Sequence, residues 1–148
     1  MTAQVPDARQ PRRTALIIWS CLVASVGVYA VVIETIRRQH EPFSGFSPTV
    51  SIDTLRPVVA VVWIVSIVSL RFVVPAVLRG ARGPAAGQRV SAMIVRAAIY
   101  ETAVMYGVIL FLCAGRRADF YVFAAAGLVG LLTLFPRAEG WTEATRRA

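Results

Sequence analysis

The chain has 148 residues, 57% of them hydrophobic, with a mean hydropathy of +0.64; roughly 45–50% apolar is usual for a soluble domain, so an ordinary water-soluble globule is excluded. The formal charge of +8 comes from 16 arginines, with no lysine, against 8 acids. These arginines cluster at the ends of apolar runs, where basic residues set membrane orientation and meet anionic headgroups, and no separate basic module for nucleic acid exists.

Residues 1–13 read as a basic N-terminal tail containing Arg9, Arg12 and Arg13. The first membrane span is predicted over 14–36, "TALIIWSCLVASVGVYAVVIETI". Its length, about 23 residues, exceeds the short apolar region of a cleaved signal peptide, so the expectation is a retained helix. The connector that follows, "RRQHEPFSGFSPTVSIDTLR", is the longest in the chain. Phe43 and Phe46 are expected to dip into the interface, and Asp53 or Thr54 to cap a helix opening at Pro57. His40, the sole histidine, reads as a solvated loop residue.

The second span is predicted over 57–78, rich in valine and isoleucine, with Trp63 and Arg71. A basic connector, "RGARGPAAGQR", leads to the third span over 90–114. "GRRAD" is so short that the third and fourth helices must form a tight antiparallel hairpin. The fourth span runs over 118–136, and a tail over 137–148 carries Trp141 as an interfacial anchor. Each run approaches or exceeds the about 20 helical residues needed to cross hydrocarbon about 30 Å thick. None alternates with period two, which removes a β-barrel. The predicted fold is all-α: an integral membrane four-helix bundle, up-down-up-down, forming one transmembrane domain over 14–136. Ser20 with Ala24, and Ala126 with Gly130, have the small-xxx-small spacing that lets helix backbones approach in lipid.

Nine arginines fall on the side holding both termini and the 79–89 connector, against five on the other side. That asymmetry puts both termini in the cytoplasm. Cys21 and Cys113 lie inside spans without metal or redox spacing and read as packing residues. There is no Gly-rich phosphate loop, no HExxH and no Ser/His/Asp arrangement. A lone histidine also removes a bis-histidine haem. No enzyme activity, metal or cofactor is expected.

The one chemically loaded position is Glu101. It stands about 11 residues into the third span, hence about 16 Å deep, where an ionised carboxylate costs on the order of 3 kcal/mol. It must therefore stay protonated, pair with a cation or face water. Arg96, five residues away, lies about 140° around the helix and does not share its face. Arg71 on the neighbouring helix is the better expected partner. Both arginines can also snorkel to the headgroups, and Glu34 is expected to be solvated beside Arg37 and Arg38. Glu101 is then either an exchangeable proton- or ion-binding carboxylate or a structural group, ion-paired or bonded to Tyr100, Tyr106 or a backbone carbonyl.

The stretch "ETAVMYGVILFL" resembles the carboxylate-bearing helix of the proteolipid rotor subunits of V-, A- and F-type ATPases, which carry a Glu-Thr-x-x-x-Tyr-Gly pattern. The resemblance implies that Glu101 binds the transported proton or Na⁺, with Thr102, Tyr106 and Gly107 completing the motif. The chain departs from that family in its second helix, which has no glycine between 57 and 78, and in lacking a paired second site. As a whole it is similar to uncharacterised four-helix bacterial membrane proteins, which implies residence in a bacterial inner membrane. The expected function is an accessory or assembly subunit in the lipid bilayer, packing against protein partners of a larger complex or against copies of itself. The alternative is a proton- or ion-binding protein using Glu101.

Overall fold

The computed structural model describes residues 9–47, 51–80 and 85–137. They form four helices: α1 (Arg9–Gln39), α2 (Ile52–Gly80), α3 (Ala85–Ala114) and α4 (Arg117–Thr133), with no strand among the described residues. Three stretches, Gln10–Gln39, Ile52–Ala76 and Gly87–Ala114, are long and apolar enough to cross a membrane. α4 has 17 residues, a length of about 25 Å. It stops at Thr133, and Leu134 to Arg137 continue without helix, so the helical part is shorter than the predicted 118–136 span.

Two predicted boundaries are corrected. α1 opens at Arg9, so Arg9 to Arg13 belong to a helix rather than a tail. α2 opens at Ile52, not at Pro57. Ser51 performs the capping assigned to Asp53 or Thr54: its carbonyl accepts the Leu55 amide at 3.0 Å and the Thr54 amide at 3.2 Å. Asp53 sits in the first turn, where a negative charge favours the helix dipole. Trp141 and the tail beyond Arg137 lie outside the described residues.

α3 is the hub, packed against each of the other helices, whereas α2 packs chiefly on α3. The closest packing is between α3 and α4, and glycine is the reason. A methyl group at Gly127 would stand 2.6 Å from the Tyr100 carbonyl oxygen; at Gly107 it would stand 3.0 Å from the Phe120 carbonyl oxygen; at Gly130 it would enter the Tyr100 ring. Small residues thus let the two backbones approach. The core follows this seam, with Phe111, Phe120, Leu131 and Val104 fully buried and Ile33 of α1 sealing it. α1 meets α4 in the opposite sense: the Trp19 indole donates to the Leu131 carbonyl at 2.8 Å, and the Tyr121 hydroxyl donates to Glu34 at 3.0 Å.

The connector after α1 closes over the end of α3. The Phe46 amide donates to the Leu112 carbonyl at 2.8 Å and the Ser47 amide to the Cys113 carbonyl at 3.3 Å, satisfying carbonyls a helix end leaves open. Gly45 (φ +90) and Gly115 (φ +67) make this possible, since a side chain at either would strike the opposite backbone. Phe43 stacks on Phe111 with ring centroids 4.9 Å apart, so it enters the core, while Phe46 remains exposed.

Candidate functional site

Glu101 lies on the seam between α1 and α3. Its Oε1 is 3.0 Å from Ser25 Oγ, and Ser25 Oγ is also 2.7 Å from the Leu22 carbonyl oxygen. A hydroxyl has one hydrogen and can donate to only one of these oxygens. When Ser25 donates to Leu22, the contact with Glu101 is a hydrogen bond only if the carboxyl is protonated and donates to Ser25 Oγ. When the carboxyl is ionised, the hydroxyl can turn and donate to it. The site thus has a bonding arrangement for each protonation state. Moving between them requires one hydroxyl rotation.

The expected cation is not at hand. Among the described residues the ion pairs are Arg37–Glu34, Arg37–Glu41 and Arg56–Asp119, and Glu101 belongs to none. Arg71 is exposed on α2. The geometry of α3 explains the separation. Ile99 and Ala103 face α2, where the Trp63 indole donates to the Ile99 carbonyl at 3.3 Å and Ala103 packs with Val59. Glu101 is two residues from each, about 200° around the helix, so it points to α1 instead. Arg96 is exposed and lines a cleft near one end of the bundle.

The remaining motif residues do not converge on Glu101. Thr102 Oγ1 donates back to the Ala98 carbonyl of its own helix at 2.8 Å. Tyr106 packs in the cluster of Val59, Leu110 and Trp63 toward α2. Gly107 faces Phe120 of α4. The Glu-Thr-x-x-x-Tyr-Gly pattern is therefore distributed over separate faces of α3, and the partner that does reach Glu101, Ser25, comes from α1. A signal for Ser25 was present in the sequence. It stands 11 residues after Thr14, as Glu101 stands 11 residues after Val90, so two helices running the same way hold them at one depth.

A second polar group lies at the end of the bundle opposite the start of α3. Arg56 Nη2 contacts both Asp119 oxygens, at 2.7 and 2.8 Å, joining α2 to α4. Asp119 is only 8% exposed and sits in the first turn of α4, where the helix dipole also favours its charge. Both residues read as connector or span-end positions in the sequence, and nothing in their spacing marked them as a pair. Glu34 is near Arg37 as expected, accepting from Arg37 Nε at 2.9 Å, but it is also bonded to Tyr121. Among the described residues, no group of three or more His, Cys, Asp or Glu side chains could hold a metal. Cys21 and Cys113 are free thiols.

Comparison with protein-family models, with curated proteins and with solved structures finds no match to this chain.

Proposed function

We propose that this is a four-pass membrane protein, up-down-up-down with both termini cytoplasmic, in which Glu101 exchanges a proton within the bilayer. The reading is supported by one observation above all: the Glu101 carboxyl is bonded to a hydroxyl, Ser25, and, among the described residues, to no guanidinium. A permanent ion pair would lock the carboxylate in its charged form. A serine that can both donate and accept leaves both forms bonded. An isolated intramembrane acid is in general a candidate for proton or ion traffic. α4, with its apolar continuation through Phe135, forms the fourth crossing in this reading.

Labelling with a membrane-permeant carbodiimide tests it, since such reagents attack the protonated acid. Glu101 is expected to be modified selectively, and more as pH falls. Proton flux into vesicles containing the protein is expected to vanish in Glu101→Gln while the variant still folds. An inert Glu101 across the pH range, or unchanged flux in the variant, refutes the proposal.

A second reading, an accessory or assembly subunit of a larger membrane complex, is favoured by α2. That helix is attached chiefly through α3 and leaves Val58, Val61, Val65, Val68 and Phe72 exposed. Glu101 is then a structural hydrogen bond. Co-migration of a stoichiometric partner after mild solubilisation, together with an inert Glu101, selects this reading.

A further inference from the structure

Glu101 uses one of its two oxygens inside the bundle. Oε1 meets Ser25, whereas Oε2 has no hydrogen-bond partner among the described residues. The fully buried side-chain nitrogens and oxygens without a partner are, among those residues, Arg12 Nε and Arg56 Nε alone. Oε2 therefore reaches the outer surface of the helices, and Glu101 as a whole is half-buried. The surface it reaches is an open face of α3. Ile94 and Ile109 there are 42% and 46% exposed, Ala98 is exposed, and Thr102 and Met105 are half-buried. These five positions fall within an arc of about 100° that begins at Glu101. Ile99 and Ala103, which meet α2, lie outside that arc, and α1 and α2 flank it without packing on one another. Arg96 lies outside it too, so the face carries no guanidinium.

In water an exposed oxygen is hydrated. Glu101 stands near the middle of the Gly87–Ala114 stretch, and in hydrocarbon an unsatisfied polar group at that depth is costly. One chain alone leaves the site incomplete. A second copy completes it. Chains inserted in the same direction hold Glu101 at one depth, and a two-fold axis along the membrane normal brings like faces together. A carboxyl group is self-complementary: two protonated groups each donate and accept once, and a single proton between two gives one charge-assisted bond. The face also suits close approach at that level, since Ala98 is small and the Thr102 hydroxyl is folded back on the Ala98 carbonyl at 2.8 Å. We propose that two copies pack α3 against α3 in the membrane and that their Glu101 carboxyls bond to one another across the two-fold axis. The proposal rests on the membrane-spanning part of the reading above and not on proton exchange. Association reports the one; carbodiimide labelling and flux report the other.

The test uses the full-length chain in phosphatidylcholine vesicles, with energy transfer between copies labelled at their termini giving the stoichiometry and dissociation constant. The wild type is expected to form dimers. Glu101→Gln, whose amide is self-complementary in the same way, should stay within about twofold of it, and Glu101→Leu should weaken association about tenfold. Ala98→Leu leaves the carboxyl in place and adds bulk at an exposed position, so it should weaken association while the monomer still folds; it remains informative if Glu101→Leu does not fold. Disulfide cross-linking then locates the interface, in a background carrying Cys21→Ala and Cys113→Ala. Ile94→Cys and Met105→Cys on α3 should cross-link. Val61→Cys on α2 and Val122→Cys on α4, both exposed, should not. A chain that stays monomeric, its α3 face covered by lipid alone, overturns the proposal. So does undiminished association in folded Glu101→Leu and Ala98→Leu, or cross-linking through α2 or α4 instead of α3.

Discussion

Ser25 and Glu101 meet across the α1–α3 seam at 3.0 Å, a hydroxyl facing a carboxyl at matched depth on two helices. In Glu101→Gln the amide can donate to Ser25 Oγ as the protonated acid does, so thermal unfolding in detergent should change by less than about 1 kcal/mol. Ser25→Ala removes the bond and should cost about 0.5–1.5 kcal/mol. If Glu101→Gln proves much the more damaging of the two, Glu101 has a stronger partner than Ser25 and the hydrogen-bond scheme is wrong.

Arg56 and Asp119 tie α2 to α4 through a half-exposed guanidinium and a nearly buried carboxylate. Arg56→Ala strands the Asp119 charge and should lower the unfolding midpoint, by less than the loss of a fully buried pair would. Asp119→Asn combined with Arg56→Gln should recover part of that loss. A double-mutant cycle on unfolding midpoints reads the coupling, and a coupling near zero would show that the pair contributes nothing.

Gly127 faces the Tyr100 backbone, which cannot yield as a side chain can. Gly127→Ala is expected to force α3 and α4 apart and destabilise by about 1–3 kcal/mol. The comparison is Gly27→Ala on α1, where an added methyl meets nothing within 4 Å, and where exchange of glycine for alanine in a helix should stabilise by about 0.5–1 kcal/mol. Paired melting curves decide it: equal shifts in the two variants would contradict the close α3–α4 approach.

Trp19 donates its indole N–H to the Leu131 carbonyl and stands edge-on to Phe135, ring centroids 5.1 Å apart. Trp19→Phe keeps most of the apolar volume and loses the donor, so about 0.5–1.5 kcal/mol of stability should go. Exchange at amides near the end of α4, followed by hydrogen–deuterium mass spectrometry, should rise with it. Protection unchanged there would mean α4 is anchored elsewhere.

Helices were legible because apolar runs and their arginine-rich ends are local signals, and α2 and α3 carry those signals over their whole length. Boundaries were less so. Ile52 rather than Pro57 opens α2, because the Ser51 carbonyl takes the Thr54 and Leu55 amides and so starts the helix before the proline, which lies inside it. Glu101 stood out in the sequence through its expected depth and the cost of a charge there. Its partner did not, since Arg71 satisfies the charge argument as well as any other residue until the facing of α3 is known.

Composition and the spacing of apolar runs settle that this chain is helical and carries segments able to cross a lipid layer, because about 20 consecutive apolar residues in a helix match the thickness of the hydrocarbon core. Which faces meet is a different kind of information. Rotation of α3 sends Glu101 to Ser25, Tyr106 toward α2 and Gly107 to α4, and it gathers Arg89 and Arg96 with Arg137 around one cleft. Those pairings depend on how glycines let backbones approach and how each helix turns about its axis, and a change of about 100° per residue makes them invisible to any reading confined to one segment at a time.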